Sequence, residues 1–102
     1  MNFSMIKQAM ELKSKLQKAQ KELAKMTVEA EAGDGAVKVT ASGSQKILSI
    51  KISPDVIDPA KSKQLEKLVF KAVTDAMDKA KKLADKHLGE LTGGIKIPGI
   101  TD

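Results

Sequence analysis

A chain of 102 residues, 41% of them hydrophobic, is long enough for one core and too short for a second, and the lack of cysteine excludes disulfides and thiolate metal sites. All 18 basic residues are lysine, set against 13 acids; the net charge of +5 favours a polyanion partner, but without arginine there are no bidentate forks to read guanine edges. Phe3 and Phe70 are the only aromatics, which argues against a single-strand or RNA binder built on stacked bases.

The first segment predicts a helix from about Asn2 to Met26. Met5, Ala9, Leu12, Leu16, Ala19, Leu23 and Met26 alternate by four and three residues, the spacing of a heptad seam, with Phe3, Ile6 and Met10 supplementing it. No glycine or proline interrupts the run. At ~1.5 Å per residue such a helix outruns strands of ~6 residues, so its distal end needs a partner or lies in solvent. A marginal core and two long apolar stripes together predict a homodimer. The opening MNFSMIKQAM has no charged segment followed by an unbroken apolar run, and nothing approaches the roughly 18 apolar residues of a membrane span. A soluble protein of the cytoplasm is expected, with no membrane association.

On the outer side of this helix Lys7, Glu11, Lys18, Lys21 and Lys25 fall on one line, and Lys13 and Lys15 flank the apolar stripe. Six lysines against Glu11 and Glu22 make either a solvated face or a surface for phosphates. The excess of positive charge favours the second.

The stretch from Val28 to Ile52 is the only part that alternates with period two, and it predicts a three-stranded antiparallel sheet. A type I′ turn at Asp34-Gly35 pairs Gly33 with Ala36, which keeps the alternate Val and Ala residues on one face. It sets Glu31 opposite Lys38 and Glu29 opposite Thr40. A four-residue loop, Gly43 to Lys46, then directs Leu48, Ile50 and Ile52 inward, places Lys51 beside Lys38 and leaves Ile47 on the outer face. Glu29 and Glu31 share a face as an acid/base pair could, yet no nucleophile, histidine or arginine clusters with them in sequence. A cross-strand ion pair is the simpler account of Glu31. Gly33 and Gly35 are turn residues and not a phosphate loop.

Asp58-Pro59 predicts the start of a second helix, with Asp as N-cap and Pro at the first position, running to about Glu90. Leu65, Leu68, Val69, Ala72, Val73, Ala76, Ala80, Leu83, Ala84 and Leu91 form its stripe, and His87 falls on that stripe, where a packed or interface residue is expected in place of a metal ligand. Lys63, Lys67, Lys71, Lys81 and Lys82 occupy the outer face. The pairs Asp75–Lys79 and Asp78–Lys82 are expected to form ion pairs. The last residues, LTGGIKIPGITD, predict a flexible Gly/Pro tail over 92–102 beyond a single domain at 1–91.

The sequence EAEAGDGAVKVTASGSQKILSIKISPDVID, between a basic heptad helix and a long helix ending in TGGIKIPG, resembles the YbaB/EbfC family of bacterial nucleoid-associated proteins. The resemblance covers nearly the whole chain. It implies an α+β protomer of order α-β-β-β-α, a tweezer-like homodimer with protruding helices, and double-stranded DNA bound in the nucleoid with little sequence requirement. The basic candidates for that contact are Lys7, Lys13, Lys15, Lys18, Lys21, Lys25, Lys63, Lys67, Lys71, Lys81 and Lys82. An adaptor that docks a protein partner in DNA repair or replication is the alternative. An enzyme is not expected, and no cofactor or metal is assigned.

Overall fold

The computed structural model describes residues 2–91; Met1 and residues 92–102, where the flexible tail is expected, lie outside the described residues. Helix α1 spans Phe3–Lys25. Asn2 caps it, its side-chain oxygen accepting from the Met5 N–H at 2.8 Å. Only Met26 separates α1 from strand β1, Thr27–Ala32, which is followed by β2, Val37–Ser42, and β3, Ile47–Ile52. The strands lie in sequence order in one antiparallel sheet.

The first hairpin has the register that the Asp-Gly turn predicts. Asp34 and Gly35 both have positive φ, 56° and 87°, as a type I′ turn requires, and Glu31 faces Lys38 while Glu29 faces Thr40. Lys38 in turn faces Lys51.

The second hairpin differs from the expected four-residue loop. Ser42 N–H donates to the Lys46 carbonyl and Gln45 N–H to the Ser42 carbonyl, so the loop is three residues closed by a left-handed Gln45, φ 64°. That shorter loop sets Ile47 opposite Ala41, on the inner face and not the outer. Leu48 becomes the extra residue of a bulge before Ser49 rejoins Thr40.

The chain leaves β3 through two 3-10 turns, Pro54–Val56 and Pro59–Lys61, capped by Ser53 and Asp58. Asp58 therefore caps a tight turn that leads into helix α2, Ser62–Leu91.

Helix α2 organises the core. Ala72, Ala76, Ala80, Ala84 and Leu88, all buried, recur every four residues along one ridge. Side chains this short let the helix axis approach its neighbours closely. Its first half lies over β1 and β2, where Ala72, Ala76 and Ala80 meet Ala30, Ala32, Val37, Val39 and Ala41. Its second half packs on α1, where Ala84 and Leu88 meet Ala19 and Leu23. So α2 covers the sheet, and α1 touches it only at its own C-terminal end. There Gly43 N–H donates to the Met26 carbonyl at 2.9 Å.

Candidate nucleic-acid interface

The α1 surface is built by a helix whose inward seam is used over only part of its length. Ala19 and Leu23 are buried and Leu16 and Met26 half-buried, whereas everything from Phe3 to Ser14 is exposed among the described residues. Half of the helix thus projects beyond the body, and the molecule, this helix included, measures 67 × 23 × 18 Å. At about 100° per residue, Lys7, Lys18, Lys21 and Lys25 share one outer facet, with Lys15 and Lys13 on either side of the seam. All six are exposed. They carry flexible point charges spread along ~27 Å of helix from Lys7 to Lys25.

Phe3, Ile6 and Met10 do not supplement the seam as the sequence predicts. They fall on a facet roughly opposite it and line a shallow hollow with Lys7, Glu11 and Ser14. The reason is their spacing: positions 3, 6 and 10 repeat by three and four but start out of phase with 5, 9 and 12.

The α2 lysines divide into two groups. Lys81 and Lys82 lie in the half that packs on α1, so they belong to the same end of the molecule as the α1 row. Lys63, Lys67 and Lys71 lie in the half that packs on the sheet, away from that end. All five are exposed. Lys71 is also engaged locally: its Nζ donates to Asp75 at 3.1 Å. Lys86 and Lys61, outside the sequence candidates, are exposed too, Lys86 in the α1-packed half. Charge is the only signal either carries in the sequence.

Three polar contacts fix the body beneath these groups. Lys79 donates to the Glu29 carbonyl at 2.8 Å, tying α2 to the edge of β1 in place of the expected pair with Asp75. Among the described residues no ion pair joins Asp78 to Lys82. Lys38 and Glu31 form the expected cross-strand pair at 3.6 Å, both half exposed, and such a pair adds about 1 kcal/mol at most. His87 Nε2 lies 3.8 Å from Glu22 across the α1–α2 contact. That places the one histidine as a packed interface residue. Among the described residues no cluster of three or more metal-ligating side chains occurs, and no helix is long and apolar enough to cross a membrane.

The arrangement can attract phosphates without selecting bases. A row of ammonium groups on a protruding helix displaces condensed counterions, and lysine supplies charge with no planar fork to fix register.

Residues 1–95 match the model of the YbaB/EbfC DNA-binding family. The chain is 43% identical over 96 residues to a nucleoid-associated protein of Anaeromyxobacter sp. (strain Fw109-5), covering 94% of this chain and 93% of that one. It is 44% identical over 96 residues to a nucleoid-associated protein of Myxococcus xanthus (strain DK1622), with 94% and 91% covered. Its fold is similar to the crystal structure of an uncharacterized Helicobacter pylori protein at a TM-score of 0.79 and 14% identity, over 91% of this chain and 99% of that one.

Proposed function

The chain belongs to the YbaB/EbfC DNA-binding family, and from that premise we propose that it is a nucleoid-associated protein that grips the backbone of double-stranded DNA as a homodimer. The observation that carries the mechanism is the α1 row: six exposed lysines against two glutamates along a helix whose N-terminal half stands free of the body. Lys18, Lys21 and Lys25 of each protomer contact phosphates, and the remaining lysines add to the field that draws the duplex in. Base identity is not read by this row, because contacts from lysine to phosphate carry no sequence information. It acts by binding and not by catalysis.

Dimerisation is supported by the opposite end of the molecule. Strand β3 is an edge of the sheet, so its outer backbone groups are open to another chain, and Ile50 on it is 46% exposed. Beside it Ile52, Leu65, Val69, Phe70 and Val73 line a groove of about 630 Å³ in which Phe70 is 74% exposed. An apolar face of this kind, brought against its own copy about a two-fold axis, is covered on both protomers at once. The two α1 helices then point away from the junction.

Mobility shifts on unrelated duplexes at several salt concentrations test the mechanism. With three lysines from each protomer neutralising ~6 phosphates, log affinity falls against log salt with a slope near −5. The triple variant K18Q/K21Q/K25Q weakens binding to every duplex alike and flattens the slope. A salt-independent affinity, or a loss confined to one sequence, contradicts backbone-only binding.

A further inference from the structure

The α1 seam runs past the point where α2 stops covering it. Gly33 lies against Leu68, Glu29 meets Lys79 and Glu22 meets His87, so α2 runs antiparallel to the path from α1 into β1. At its end Leu91 joins the cluster that contains Leu16, Ala19 and Leu23. The next seam positions toward the N-terminus are Leu12, 46% exposed, then Ala9, then Met5, 56% exposed. They continue the same facet, distinct from the one that holds Phe3, Ile6 and Met10.

Helix α2 ends with Leu91 at the start of this uncovered strip, and its axis runs in the direction of the strip; residues 92–102 follow in the sequence. Their sequence, TGGIKIPGITD, has two glycines after Thr92, which suit the end of a helix, and then sets Ile95 and Ile97 either side of Lys96. Pro98 cannot continue a helix and Ile100 follows at three residues' distance. The strip from Leu16 to Met5 is ~17 Å long at helical rise. An extended segment from Thr92 to Ile100 reaches ~30 Å, so length is no obstacle.

We propose that residues 95–100 dock along the α1 seam of their own chain, covering Leu12, Ala9 and Met5 with Ile95, Ile97 and Ile100. The occupant is the tail and not a second copy, because the tail is tethered at the strip and its effective concentration there exceeds that of another molecule. Docking also leaves the lysine facet of α1 free, since that facet lies away from the seam. The tail therefore closes an apolar strip that would otherwise pair α1 helices of separate copies.

The chain has no cysteine, so a disulfide can be placed at will. In the full chain carrying L12C and I97C, mild oxidation is expected to give a crosslink within one chain, migrating at the mass of one chain on a denaturing gel. A product linking two chains, or none, overturns the proposal where circular dichroism shows the fold intact. Hydrogen exchange supplies a second measurement that needs no cysteine. Amides of residues 5–12 are expected to exchange roughly tenfold faster in the full-length variant I95D/I97D than in the parent. Equal rates overturn the proposal.

Discussion

Gly43 has no room for a side chain. A Cβ at that position would stand 2.8 Å from the Leu23 carbonyl oxygen and 2.9 Å from Leu23 Cδ2, and backbone cannot step aside as a lysine tip can. This is where the β2–β3 loop is pressed against the last turn of α1. Replacing Gly43 by Ala is expected to lower stability by about 1 to 3 kcal/mol, read as a lower urea midpoint with an unchanged slope. An unshifted midpoint would show that the contact relaxes. In sequence Gly43 reads only as a loop residue, because its reason lies twenty residues away on another element. Asp34-Gly35 is the opposite case, a turn dipeptide whose backbone requirement is local and therefore legible. The ion pairs teach the same lesson. Asp75 has a lysine four residues before it and another four after, and helical spacing alone does not choose between Lys71 and Lys79. The sheet chooses, by offering Lys79 the Glu29 carbonyl.

Among the elements, β3 departs furthest from its expected place. Its bulge at Leu48 follows from the left-handed Gln45, a residue type with no marked preference for that conformation, so the three-residue loop left no clear trace in the sequence. Helix α2 lies over β1 and β2, which leaves Ile50 and Leu48 of β3 exposed. The proposed two-fold contact across β3 and the start of α2 makes a direct prediction. Ile50→Lys or Phe70→Asp, each at an exposed position and so compatible with the protomer fold, should convert a two-chain species to one chain by light scattering. Retention of the dimer in both variants would place the contact elsewhere. The existence, type and approximate limits of both helices and all three strands were legible, since long uninterrupted periodicity is a strong signal. The division of the lysines between two ends was not. Which helix takes the sheet depends on how closely its stripe can approach, and both stripes are apolar.

At the scale of the whole molecule, that division would give each end a different task under the proposed function. The sheet end carries the open edge strand and Phe70, and the far end carries α1 with its six exposed lysines, two of them, Lys7 and Lys13, on the projecting half. The proposed contact with another copy and the proposed contact with DNA therefore need not compete for one surface. Between them lies a core of unusual make-up. Of the buried apolar residues among those described, Ala19, Ala30, Ala32, Ala41, Ala72, Ala76, Ala80 and Ala84 are alanine, and only Leu23, Val37, Val39 and Leu88 are larger. An alanine conceals one methyl group, so unfolding exposes little hydrocarbon to water for each residue released. The heat-capacity increment of unfolding scales with that newly wetted hydrocarbon. Calorimetry of the one-chain variant Phe70→Asp, which carries no contact between copies, should find it below the usual ~12 to 15 cal/mol/K per residue, and an ordinary value would contradict this account of the core. A small increment flattens the dependence of stability on temperature. The alanine ridge that brings α2 close to the sheet thus also broadens the thermal range over which the fold persists.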